Sequence, residues 1–209
     1  MKYIEKKEVP TFFIEDTNGL IQWSEYGKKR ALKQYILEEE QSYLCGYCEA
    51  KVVLDNSHLE HIKPKHLDDN LIFDYNNLLV SCDGICFSEN NERMTCGHKK
   101  GSDFDESRFL NPTKEKNIRG YFIYSDKFII EPSRKDEYKA DYTLSLLQLN
   151  IFNNYLPEAR KKALVAFQKS VKKNAKKTGR TFSEIANILL NKENLAFISF
   201  LKFRYKSIL

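Results

Sequence analysis

The sequence predicts an α+β protein, mainly helical, with a cysteine-rich centre built on short strands and an added β-hairpin. Three observations predict it. All five cysteines and all four histidines of the 209-residue chain lie between residues 45 and 98, which marks a site and not a scattered apolar core. Beyond that stretch, GYFIYSDKFIIEP sets two aromatic and apolar runs on either side of Ser125-Asp126, the pattern of a hairpin over residues 120–131. From Thr143 onward the apolar residues recur at helical spacing.

Taken in order, residues 24–42 carry Ala31, Leu32, Tyr35, Ile36 and Leu37 at helical spacing and run directly towards Cys45. Residues 52–62 and 78–81 are short Val/Leu/Ile-bearing segments that read as small strands, and Asp83–Thr95 is a polar, irregular loop beside the cysteines. After the hairpin, Leu146, Leu149 and Tyr155, then Leu164, Phe167 and Val171, suit one or two amphipathic helices. Thr181-Phe-Ser-Glu184 has the form of a capping box and opens a helix ending near Asn191. Leu195, Ile198, Leu201 and Tyr205 line one face of a last helix. The expected units are an N-terminal helical segment (1–42), the cysteine-bearing core (43–112), a hairpin extension (113–142) and a basic helical region (143–209).

Composition narrows the class. A hydrophobic content of 42% with 13% aromatics is that of a globular protein, and 30% charged residues give it a large polar surface. No run of eighteen apolar residues exists, and MKYIEKKEVP lacks the apolar stretch of a signal peptide, so a cytoplasmic protein with no membrane partner is expected. In that compartment five cysteines read as metal ligands and not as disulfides. The net charge of +5 hides an asymmetry: residues 160–209 hold 13 Lys+Arg against 2 Asp+Glu, and the preceding chain is net acidic. A basic tail suits a phosphate backbone; a solvated lysine-rich helix face is the plainer reading.

Cys45-Gly-Tyr-Cys48 is the tight turn that grips one side of a tetrahedral Zn²⁺ through two thiolates. Cys82 is a third ligand, and Cys86 or Cys96 the fourth. His58-Leu-Glu60-His61 differs in kind. A strand puts His58 and Glu60 on one face and His61 on the other, and Pro64 can kink His61 back towards the same cavity. A carboxylate beside a neutral imidazole joins a site for a hard divalent cation to a group that takes a proton from water near pH 7.

Glu60-His61-Ile-x-Pro64 followed by Asn77-Leu-Leu-Val-Ser-Cys82, bracketed by Cys45-x-x-Cys48, resembles the motif of the HNH (ββα-metal) endonucleases. The order ILEEEQSYLCGYCEAKV, HLEHIKPK, DYNNLLVSCDG, TCGHKKG and RFLNPT, then LSLLQLN, ARKKAL and FISFLKFR, is similar to the HNH nuclease subunit of Septu-type antiphage defence and related retron systems (PtuB-like), over roughly residues 30–205. The resemblance implies a zinc-stabilised ββα-metal core and metal-dependent hydrolysis of nucleic-acid phosphodiester bonds. It makes His61 the general base, Asn77 the residue that holds its imidazole, and Glu60 with His98 or His58 the ligands of a catalytic Mg²⁺ or Mn²⁺. It also makes Cys96 the fourth zinc ligand and Cys86 the spare. His98 stands one residue later than the position the family uses, and the family often has no histidine there. Lys63, Lys65, Lys99 and Lys100 are placed to contact phosphates; singly, an ordinary surface lysine is an equal reading of each. The substrate so implied is DNA or a structured RNA such as tRNA. The implied partner is an ABC-type ATPase (PtuA-like), since the chain has no phosphate-binding glycine-rich loop of its own, together with a retron reverse transcriptase and its DNA–RNA hybrid. Two other classes compete with this reading: a zinc-stabilised nucleic-acid-binding module without catalysis, and a partner-docking protein whose zinc is only a staple.

Overall fold

The computed structural model describes residues 1–84, 94–102, 104–150 and 155–208. Its architecture is α+β, with two small antiparallel sheets of two strands each among helices. Helix α1 (Thr11–Thr17) starts after Pro10, and α2 (Lys29–Ile36) buries Leu32 and Ile36, one turn apart on the same face. A wider turn over Leu37–Gln41 continues α2. Ser42 and Tyr43 are both left-handed (φ 52° and 57°), and there the chain reverses into the cysteine turn.

Strand β1 (Ser57–His61) pairs antiparallel with β2 (Leu78–Cys82), with His58 opposite Ser81 and His61 opposite Leu78. Strand β2 is buried along its whole length, as its Leu78-Leu79-Val80 run suits, and Ser81 is buried with it. The strand expected over 52–62 is shorter than its Val/Leu content suggests. Asp55 and Asn56 turn the chain first, and the Asn56 side chain accepts from the Val53 N–H at 2.7 Å. A short helix, α3 (Cys96–Lys100), packs on β2.

The expected hairpin is present as β3 (Phe122–Tyr124) and β4 (Ile130–Pro132). Helix α4 (Glu137–Leu146) begins earlier than the apolar periodicity placed it. Asp136 caps it by accepting from the Lys139 N–H at 3.0 Å, and no apolar pattern marks its first turn. Then come α5 (Tyr155–Thr178), α6 (Phe182–Leu190) and α7 (Ile198–Arg204). The Thr181–Glu184 capping box is formed in both directions. No described helix is long and apolar enough to cross a membrane.

The buried apolar side chains form one continuous cluster, from Ile4 and Phe13 through β2 to Phe200 and Leu201. Polar groups stitch it at two points near the cysteines. Glu49, buried in the cysteine turn, accepts from the backbone N–H and the hydroxyl of Ser199 in α7. Gln41 acts as a substitute strand on the edge of β2. Its amide donates to Leu44 O (2.7 Å) and Val80 O (2.8 Å) and accepts from the Val80 N–H (2.8 Å). Replacing Gln41 with Ala takes this partner from the Val80 N–H and the Leu44 carbonyl, while Val80 O keeps the Gly46 N–H at 2.9 Å. At about 1–3 kcal/mol for each buried group left unpaired, the loss should reach about 2–4 kcal/mol in denaturant unfolding. A loss below about 0.5 kcal/mol would show that water replaces the amide.

Candidate metal centres and active site

Three separate segments deliver the cysteines. The turn after α2 carries Cys45 and Cys48, the end of β2 carries Cys82, and the first residue of α3 is Cys96. All four are buried, none is in a disulfide, and their sulfur atoms lie within 4.8 Å of one another. Cys86 lies outside the described residues. Cys48 Sγ and Cys82 Sγ are 3.7 Å apart. Thiolates at about 2.3 Å from one tetrahedral ion stand about 3.8 Å apart, so the cluster has the right size for an ion at its centre.

Its electrostatics agree. Burial opposes charge on Cys45, but hydrogen bonds from Cys48, Cys82 and Cys96 outweigh it and hold this thiol well below the usual range. The hydrogen bond to Cys45 pushes Cys48 well above that range, and burial does the same to Cys96. Charge on Cys45 is thus favoured over charge on Cys48 and Cys96, and a divalent cation among the sulfurs would stabilise thiolates on them together. Cys96 sits at φ 59°, a left-handed geometry that costs a side-chain-bearing residue roughly 1–2 kcal/mol. Its N–H donates to Leu147 O at 2.9 Å, which helps hold the sulfur inward.

His61 closes β1, and its ring turns away from the face that carries His58 and Glu60. Only 8% of the residue is exposed. Nε2 contacts the Ile72 carbonyl at 2.9 Å, and Trp23 stands edge-on with ring centroids 4.6 Å apart. A carbonyl only accepts, so Nε2 carries the proton and Nδ1 of the neutral ring keeps its lone pair. Burial lowers the pKa of His61 below the ordinary histidine value, and Lys65 and Lys100 act in the same direction against the Ile72 carbonyl and Glu60. Asn77 touches backbone and not the imidazole. Its Oδ1 accepts from the Lys63 N–H (2.8 Å), and its Nδ2 donates to Lys63 O (3.0 Å) and Leu71 O (3.3 Å). Asn77 thus braces the loop that carries Ile72, whose carbonyl meets the ring. An open cleft of about 400 Å³ borders His61, lined also by Trp23, Glu60, Lys65, His66 and Lys100.

On the other face of β1, His58 and Glu60 lie against α3. A Cβ on Gly97 would stand 2.6 Å from His58 Nε2 and 2.8 Å from Glu60 Oε2, so only glycine lets the helix lie so close. His58 Nδ1 is 2.9 Å from Asp83 Oδ1, and His98 Nε2 is 3.5 Å from the same oxygen. Burial opposes the charged form of His58, but Glu60 and Asp83 outweigh it and raise its pKa. Asp83 was not foreseen in the sequence. It follows Cys82, and only the β1–β2 register shows that it meets His58.

Glu60 Oε1 is 3.0 Å from the Lys100 ammonium. Lys100 also donates to His61 O (3.1 Å), so one buried ammonium is shared between the Glu60 carboxylate and the end of β1. Burial works against the Glu60 carboxylate, yet His58 and Lys100 together lower its pKa. Lys100 was expected to meet phosphate; at 2% exposure it points inward instead. Lys63 pairs with Glu106 (3.1 Å) and Asp68 (3.4 Å), whereas Lys65 and Lys99 are exposed. On α5, Lys169, Lys172, Lys173, Lys176 and Lys177 are exposed along the face opposite Phe167 and Val171. Arg160, counted in the basic tail, is buried and donates to Phe128 O.

No protein-family model matches the chain. A curated relative from Vibrio cholerae serotype O1 biovar El Tor, named "Retron Vc95 putative HNH endonuclease", is 33% identical over 156 residues, which cover 70% of this chain and 72% of the relative.

Replacing Cys96 with Ser removes one corner of the sulfur cluster and should lower both bound metal and thermal stability, because ligands of such a centre assemble only in the folded chain. Metal analysis beside a melting curve checks this; full metal content in the variant would remove Cys96 from the ligand set.

Proposed function

We propose a function from one premise: this chain belongs to the HNH endonuclease family of retron type. In this reading the protein is a metal-dependent endonuclease that hydrolyses phosphodiester bonds of DNA or of a structured RNA. The four cysteines hold a structural Zn²⁺. A divalent ion, Mg²⁺ or Mn²⁺, near His58, Glu60 and His98 supplies Lewis-acid stabilisation of the charge that develops on the phosphate. His61 is the general base, and its Nδ1 takes the proton from the attacking water. The Ile72 carbonyl holds the ring in the tautomer that leaves Nδ1 free, and Asn77 keeps that carbonyl in place through the loop backbone. Lys65 and Lys99 meet neighbouring phosphates. The products carry 5′-phosphate and 3′-hydroxyl ends. The basic face of α5 follows the nucleic acid further from the site, and an ABC-type ATPase and a retron's own components govern when the nuclease acts, in defence against phage.

One observation carries the reading: a buried, neutral histidine, oriented by a backbone carbonyl, opens on a cleft edged by Lys65 and by a carboxylate one residue away. The test is cleavage of plasmid DNA and of tRNA by the zinc-loaded protein in Mg²⁺ or Mn²⁺. His61→Ala should keep its zinc and its melting temperature and lose activity by about 10²–10⁴, the usual worth of a general base. Retained activity would remove His61 from that role. A wild-type protein that binds both nucleic acids and cuts neither would favour a binding module without catalysis.

The lowered pKa of His61 sets the direction of the pH response. A base whose pKa lies below its ordinary value stays unprotonated further into acid. At saturating metal the acid limb of the rate profile should therefore fall below about 6.5, the unperturbed histidine value. An acid limb centred above 7 would point to another base.

Neutralising Lys172, Lys173, Lys176 and Lys177 together tests the basic face. Binding should weaken and its slope against log salt should flatten by about one unit per lost phosphate contact. Cutting of bound substrate at low salt should persist. An unchanged slope would leave these lysines as a solvated face.

A further inference from the structure

We propose that His58, Asp83 and His98 form a divalent transition-metal site, with Glu60 outside the ligand set as the carboxylate that orients His58. The assignment deepens the nuclease reading, because it names the ligands and the preferred class of ion. Its binding test nevertheless stands or falls without any cleavage.

Size comes first. Ligand atoms at about 2.1 Å from one ion lie roughly 3.0–3.5 Å apart. His58 Nδ1 and His98 Nε2 stand 2.9 Å and 3.5 Å from Asp83 Oδ1, and one ligand atom from each residue falls within 4.8 Å of the others. The two imidazole rings meet edge to face at 4.1 Å between centroids, so both can turn a nitrogen to the same point. The side chains are 26%, 18% and 38% exposed. An ion here keeps open positions for water and a phosphate oxygen.

Tautomers agree with that point. An ion on His58 Nδ1 leaves the ring proton on Nε2, and Nε2 faces Glu60 Oε2 at 3.5 Å. A metal-bound histidine usually hands its other N–H to a carboxylate, which fixes the ring and raises its basicity. The other oxygen of Glu60 lies 3.0 Å from the Lys100 ammonium, and a cation on that oxygen would be set against a buried positive charge. Gly97 gives the pair its space: any side chain there would collide with both His58 and Glu60.

Two imidazoles and one carboxylate prefer Mn²⁺ and its heavier neighbours to Mg²⁺, which takes oxygen ligands. A hard ion such as Mn²⁺ also avoids the four thiolates close by, so it reports on this site alone.

Mn²⁺ titrated into the intact, zinc-loaded protein, without nucleic acid and followed by the free-ion electron paramagnetic resonance signal, should bind at one site per chain. Asp83→Asn and His98→Ala should each weaken it by about 100-fold or more. Glu60→Gln, which keeps an oxygen to accept the His58 N–H, should cost about tenfold, the low end for such an outer partner. Zinc content, measured on every variant, separates a lost site from a lost fold. Electron spin echo modulation of the wild type should show two imidazole nitrogens on the ion, a readout that needs no variant. No Mn²⁺ bound, no nitrogen coupling, or a loss in Glu60→Gln as large as in Asp83→Asn would overturn the assignment. Mn²⁺ binding as described in a protein that cuts nothing would uphold the site and sink the nuclease reading.

Discussion

Four sulfur atoms from three distant segments meet at one buried point, and the rest of the molecule depends on that meeting. The turn after α2, the end of β2 and the start of α3 lie far apart in the chain and converge there. Among the described residues strand β1 is paired only with β2, and α3 is five residues long, too short to be stable alone. Fixing Cys82 and Cys96 together sets α3 against β2, and Gly97 then lets it lie on His58 and Glu60. Cys45 and Cys48 tie the same point to α2 and, through Glu49 and Ser199, to α7. A metal bound by these thiolates would make folding and metal binding one equilibrium.

The two faces of β1 serve different chemistry. One face puts His58 and Glu60 under α3 beside Asp83 and His98, where nitrogen and carboxylate oxygen converge. The other turns His61 against Trp23 and the Ile72 carbonyl, at an open cleft, where burial lowers the ring's pKa and favours its neutral form. Alternation along a strand produces that division. Lys100 bridges it, with its charge on Glu60 and its hydrogen bond on the His61 carbonyl. A softer cysteine centre and a harder histidine–carboxylate cluster thus lie within two residues of each other along the chain, at Cys82–Asp83 and Cys96–His98.

Much of this was legible in the residues themselves because the signals were local. The paired spacing of Cys45 and Cys48, the crowding of His58, Glu60 and His61, and the reciprocal cap at Thr181 and Glu184 each depend on a few neighbouring positions. What escaped notice depends on packing between segments. Asp83 meets His58 only through the antiparallel register. Lys100 looks like a surface lysine until α3 is rolled onto β1, and Arg160 looks like part of a basic tail until α5 is packed. Asn77 stands at the expected spacing, and only the fold shows that it reaches the imidazole through the backbone of the loop that carries Ile72. The start of α4 was missed because its first turns carry no apolar period, only the cap at Asp136.

X-ray absorption at the zinc edge of the purified protein tests the central claim most directly. The account predicts a first shell of four sulfur atoms at about 2.3 Å and no nitrogen or oxygen ligand. A protein that carries no zinc, or a shell in which imidazole nitrogen replaces one or more of the sulfurs, would contradict it.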